Sequence, residues 1–107
     1  MPESSERGAL TEAVFYILLA LHTPLHGYGI MQLVKELSRD RVQLGPGTLY
    51  GAINTLLEKG WIHAVSSEES ARKKEYEIAV EGRRAVADEL NRLRELLANG
   101  ERITGGA

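Results

Sequence analysis

At 107 residues and 11.8 kDa, with 43% hydrophobic and 26% charged residues, the chain has the composition of one soluble domain and little room for a second. It contains no cysteine, which excludes disulfide staples and thiolate metal sites. Thirteen basic against fifteen acidic residues leave a net charge of −2, not the strongly basic balance usual in a nucleic-acid binder.

That average conceals an asymmetry. Residues 35–74 carry Lys35, Arg39, Arg41, Lys59, Arg72, Lys73 and Lys74 against five acids, a local charge of +2 that leaves −4 for the rest. Exposed charges are screened beyond about 8–10 Å at physiological salt, so a phosphate near this segment feels the local cations first. The longest apolar run, Ala13 to Leu21, has nine residues, about half of a membrane span, and the acidic start is unlike a secretory leader. A cytoplasmic protein without a membrane segment is expected.

Thr11 is placed to cap a first helix that runs through Leu21, with Glu12 in the first turn where a negative charge suits the helix dipole. This helix is apolar nearly all round, so it must be covered on several sides. His22 to Gly27 break the pattern. Ile30, Leu33, Val34 and Leu37 then mark a second amphipathic helix over about 28–38. Val42 to Leu44 read as a brief strand. Gly45-Pro46 open a third helix, with proline where its missing N–H costs nothing, and Gly60 closes it. Leu49, Ala52, Ile53, Leu56 and Leu57 form its inner stripe; Gly47, Gly51, Asn54 and Glu58 face outward, with Thr48, Tyr50 and Thr55 on the shoulders. Gly51 is out of place in a helix interior, where glycine costs about 1 kcal/mol relative to alanine.

Trp61 to Val65 and Lys74 to Ile78 read as hairpin strands around a polar tip. A last helix is expected from Val80 to about Ala98, weakly capped by Ala79 and stopped by Asn99-Gly100. Along it Val86, Leu90, Leu93 and Leu97 are spaced four, three and four, a narrow seam between charged flanks. The expected fold is mainly α with a small β-hairpin: a winged helix-turn-helix over 8–79, a C-terminal dimerisation helix over 80–99, and frayed tails at 1–7 and 101–107.

Several motifs also carry a family likeness. His26-Gly27-Tyr28, Gly47-Thr48-Leu49-Tyr50, Leu57-Glu58-Lys59-Gly60-Trp61-Ile62 and Lys74-Glu75-Tyr76-Glu77-Ile78 together resemble the PadR-like transcriptional regulators over residues 8 to about 97. Gly51 stands where that family usually has a proline, Gly29 where an acid often follows His-Gly-Tyr, and Ile78-Ala79 where Leu-Thr commonly ends the wing. The resemblance implies a homodimer in which the first and last helices pack across subunits, with the third helix in the major groove of double-stranded DNA and the wing on nearby backbone. It also implies a repressor. A protein this short is expected to have no separate effector domain, so any small-molecule effector must use the dimer interface. Phenolic acids and planar drugs are the ligand classes the family suggests, yet no aromatic residue follows Tyr76 to stack on one.

The residues then take expected roles. Asn54 can pair bidentately with adenine, Thr48 and Tyr50 lie near base edges or phosphates, and Gly47 and Gly51 let the helix backbone approach DNA. Lys73 and Lys74, with Arg72, Arg39 and Arg41 behind them, hold phosphates. Phe15, Leu18, Val86, Leu90, Leu93 and Leu97 form the dimer contact. No cofactor is expected: His22, His26 and His63 form no close metal-ligand set, and no nucleophile has an orienting base, so the chain does not read as an enzyme. The competing reading is a winged-helix module that binds protein through the same outward face, since no Lys or Arg lies between Pro46 and Glu58.

Overall fold

The computed structural model describes residues 8–65 and 74–106. Thr11 starts α1 (Glu12–Ala20): its hydroxyl oxygen accepts the Val14 N–H at 3.1 Å. His22 finishes it, its Nδ1 donating to the Leu18 and Leu19 carbonyls at 3.1 Å each. Ile17, Leu18, Ala20 and Leu21 are buried because α2 lies on one side of α1 and the last helix on another.

A two-residue strand follows, β1 (Leu25–His26), and His26 then caps α2 (Gly27–Leu37) by accepting the Gly29 N–H on Nδ1 at 3.3 Å. Ser38 ends α2. Its buried hydroxyl accepts the Val42 N–H at 2.9 Å, while Arg39 and Asp40 turn the chain with φ of 55° and 68°. α3 (Pro46–Lys59) starts behind Gly45 and ends on Gly60 at φ 74°, turning Leu49, Ile53 and Leu56 into the core. β2 (Ile62–Val65) and β3 (Glu75–Ile78) make the hairpin, with Ile62 opposite Ile78 and Val65 opposite Glu75. β1 pairs with the other edge of β3, Leu25 opposite Tyr76, so the sheet is antiparallel in the order β1-β3-β2.

α4 (Val80–Thr104) begins at Ala79, whose side chain makes no cap. Its first turns sit close to the hairpin: a Cβ on Gly82 would overlap the Trp61 carbonyl oxygen and lie 2.8 Å from Ile78 Cγ1. Further along, Glu89 is buried. It accepts the Leu10 N–H at 3.2 Å and two hydrogen bonds from Arg92, at 3.0 and 2.6 Å.

Three expectations change. Val42 to Leu44 form no strand; the third strand is Leu25–His26, drawn in by the open edge of β3. Asn99-Gly100 do not stop α4, which continues to Thr104 and ends on Gly105 at φ 80°, so residues 101–104 are helix and not tail. At about 1.5 Å per residue the helix is about 37 Å long, which makes the molecule 54 × 31 × 21 Å. Leu18 and Val86, expected at the subunit contact, are 0% and 7% exposed in the protomer's own core and are not available to a partner. The hairpin tip, with Arg72 and Lys73, lies outside the described residues.

Candidate nucleic-acid interface

The outward side of α3 is nearly bare backbone. Gly47 and Gly51 are exposed, and a Cβ added to either meets nothing within 4 Å, so packing inside the protomer does not require glycine at either position. Thr48 and Asn54 are exposed beside them. Thr55 turns its hydroxyl back onto the Gly51 carbonyl at 3.2 Å, which leaves Asn54 as the outward amide on this strip. The inner stripe fixes the helix from below, Leu49, Ile53 and Leu56 being at most 2% exposed.

Tyr50 differs from its neighbours. It is 44% exposed, yet its hydroxyl lies where a Cβ of Gly27 would be, and its Cζ would be 2.8 Å from that atom. Gly27 itself is buried at the start of α2. Burial on β3, and secondarily the nearby Tyr50 phenol, push the Tyr76 hydroxyl above the usual tyrosine range. His26-Gly27-Tyr28 and Gly47-Thr48-Leu49-Tyr50, far apart in sequence, therefore meet.

The cations differ in exposure and pairing. Lys74 is exposed just ahead of β3, and Arg39 is exposed in the turn between α2 and α3. Arg41 is matched by Glu12 at 3.0 Å. Lys59 lies over the Trp61 ring, 4.9 Å from its centre. On the hairpin His63 Nε2 is 3.3 Å from a Glu77 oxygen, directly across the ladder.

Along α4 Leu90, Leu93 and Leu97 are 37%, 39% and 61% exposed, joined by Leu96 at 53% and Ile103 at 74%. Phe15 is half-buried, edge-on to Tyr16 at 6.1 Å. A cleft of about 280 Å³ opens there, lined by Leu10, Glu12, Phe15, Tyr16, Glu89, Arg92 and Leu93. The Arg92 hydrogen bonds hold the Glu89 carboxyl below the usual glutamate range despite its burial, with the Leu10 N–H assisting.

Residues 16–88, more than half of the chain, match the model of the Transcriptional regulator PadR-like family. The chain belongs to that family. PadR-like proteins are transcriptional regulators, not enzymes, and the fold that carries their DNA binding is the winged helix seen here. No curated protein matches the chain. Among solved structures, this PadR-like chain is similar to a PadR family regulator from Eggerthella lenta (22% identity, 85% of this chain and 80% of that one, TM-score 0.67). It is also similar to a PadR family regulator from Clostridium difficile (20%, 87% and 97%, TM-score 0.67). A third, F93 from STIV, is described as a winged-helix DNA-binding protein (12%, 79% and 87%, TM-score 0.63). At these identities the structures speak for the fold. Among the described residues no helix is long and apolar enough to cross a membrane.

Sequence reasoning missed three parts of this arrangement. The Gly27–Tyr50 contact joins residues 23 positions apart and leaves no local trace. Glu89 and Arg92 looked like seam flanks, although their spacing of three is what lets them pair on one helix face. Gly82 carries the same helix-interior anomaly as Gly51, and at Gly82 the close neighbours are the Trp61 carbonyl oxygen and Ile78, whereas a Cβ at Gly51 meets nothing within 4 Å.

Proposed function

We propose that this PadR-like chain is a cytoplasmic homodimeric repressor that grips an inverted-repeat operator with two α3 helices. The reading is carried by the outward side of α3, where two glycines bring no benefit to the fold and flank an exposed amide. Bare backbone of this kind lets a helix sit close to base edges, and Asn54 is the side chain suited to adenine. Thr48, at the start of the helix, reaches base edges or phosphates. Lys74 and Arg39, with Arg72 and Lys73, supply phosphate contacts that set register and carry no sequence information. Arg41, exposed but 3.0 Å from Glu12, is the weaker contact of this set.

The dimer contact is assigned to Leu90, Leu93 and Leu97 with Phe15, widened by Leu96 and Ile103. Two copies so joined present α3 to half-sites about one helical turn apart. An effector at the cleft beside Phe15 and Arg92 would act by favouring one spacing of the two heads over another.

Titrating the protein onto a fragment from upstream of its own gene at two or more salt concentrations tests this. With about four phosphates neutralised per subunit, the slope of log K against log salt should be about −7. A slope shallower than about −2, or a molecule that stays monomeric at micromolar concentration by light scattering, overturns the proposal.

A further inference from the structure

We infer that Tyr50 is a positioning residue: its hydroxyl, seated in the space that Gly27 leaves at the first turn of α2, fixes the rotation of α3 about its own axis. The inference rests on reading α3 as the helix that meets DNA. From below, α3 is held by the buried Leu49, Ile53 and Leu56, with Ala52 and Leu57 packed on the core to either side. Tyr50 adds a contact at the end of a longer side chain, where a given rotation produces a larger displacement and meets more resistance. Tyr50 lies a quarter-turn away, on the flank facing α2 and one turn from Asn54 on the same strip of helix surface.

The seat is specific. The three nearest heavy atoms to a Cβ built on Gly27 all belong to Tyr50: the hydroxyl oxygen, Cζ at 2.8 Å and Cε2 at 3.4 Å. Gly27 is flanked by His26, which pairs with β3 opposite Glu75 and caps α2 through Gly29. The socket is thus pinned by the wing strand on one side and the helix cap on the other. Tyr50 is nonetheless 44% exposed, so an added methyl can expel the ring into solvent without opening the core.

The required tolerance is small. Side chains on a helix lie about 6 Å from its axis, so a rotation of about 10° moves an amide such as that of Asn54 by about 1 Å. A hydrogen bond holds only over about 2.7–3.2 Å, so a bidentate contact with a base is lost at that displacement. Phosphate contacts by flexible lysines tolerate it.

The test is a double-mutant cycle of Gly27→Ala and Tyr50→Ala in the full chain. Each variant is followed by urea denaturation and by binding to two duplexes: one selected by the wild-type protein from a randomised pool, and one of unselected sequence. Gly27→Ala should weaken binding to the selected duplex by about tenfold or more and leave the unselected duplex within about twofold. Buried Gly27 cannot touch DNA, so this loss must pass through Tyr50. The double variant should bind no worse than Tyr50→Ala, and its urea midpoint should equal or exceed that of Tyr50→Ala, since the alanine then meets no phenol.

Wild-type binding by Gly27→Ala, or losses that multiply in the double variant, overturn the inference. Should Gly27→Ala fail to fold, the double variant decides: a folded protein with the midpoint of Tyr50→Ala supports the socket, and an unfolded or lower one overturns it. If the wild-type protein selects no sequence from the pool, the functional reading fails on its own, while the midpoints still judge the socket.

Discussion

Within α4, residues 80–92 turn Gly82, Ala85, Val86 and Glu89 inward, whereas every described position from residue 93 onward is exposed. The spacing of apolar residues does not change between the halves: the rhythm of Val86 and Leu90 continues through Leu93 and Leu97. What changes is the neighbour. The near half lies against α1 and the hairpin, and the far half extends past both. A helical stripe therefore records that a face needs cover, not which molecule provides it. An isolated helix of about 12 residues is marginal in water, so the far half of α4 gains from a surface outside its own protomer. In the proposed dimer the second subunit would supply that surface.

The strongest test of this contrast applies one substitution to both sides. Leu18→Ala empties part of a closed core and should cost about 2–5 kcal/mol in denaturation, at every protein concentration. Leu97→Ala should change the stability of dilute protein by no more than about 0.5 kcal/mol. Its effect should appear as weaker self-association in concentration-dependent light scattering. A Leu97→Ala loss as large as that of Leu18→Ala, in dilute protein, would mean that the far half packs on its own chain.

Glycine separates the halves as well. Gly82→Ala pushes a methyl onto the Trp61 carbonyl oxygen, and backbone cannot swing aside as a side chain can. The expected loss is about 2–3 kcal/mol, read as a lowered thermal midpoint.

Glu89 sits at the boundary between the halves. Its folded-state pKa is lowered, first by the Arg92 hydrogen bonds. The unfolded chain therefore binds the proton more readily, so the pair's contribution is complete above about pH 5 and is lost as pH falls toward the folded pKa. Glu89→Gln should cost about 1.5 kcal/mol at neutral pH. The difference between the wild-type and Glu89→Gln melting curves should shrink as pH falls below about 5. A difference independent of pH would assign the loss to shape instead of charge.

Legibility in the sequence followed the range of the forces involved. The limits of α3 were readable because Gly45-Pro46 and Gly60 act within one turn of the positions they define. The hairpin strands were readable from β-forming residues and alternation. β1 was not, because two residues carry no period and Leu25–His26 is a strand only because β3 offers an edge. The winged-helix architecture needed only the order of elements. The interface needed more: the outward strip of Gly47, Gly51 and Asn54 follows from helix geometry alone, but Tyr50 was assigned by its place on the helix, with no sign of a partner 23 residues upstream. Leu18 and Val86 were misplaced for the reason α4 illustrates, since periodicity fixes a face and leaves its cover open.

The smallest expected effect is also the one that maps the far half of α4 most finely. Gly100 is an exposed helix-interior residue, its carbonyl accepts the Thr104 hydroxyl at 2.8 Å, and a Cβ there meets nothing within 4 Å. In dilute protein Gly100→Ala should therefore gain about 0.5–1 kcal/mol of helix stability, seen as a steeper far-ultraviolet circular dichroism signal and a higher melting midpoint. Gly100 also falls three residues after Leu97, on the face that the seam continues. If helices of two subunits crossed there, the added methyl would separate them, and the gain would turn into a loss as concentration rises. If the helices instead cross nearer Leu90, Leu93 and Phe15, with Leu97 and Ile103 at the edge of the contact, the gain persists at every concentration. The sign of the concentration dependence thus places the crossing point along α4, which sets how far apart the two α3 helices stand.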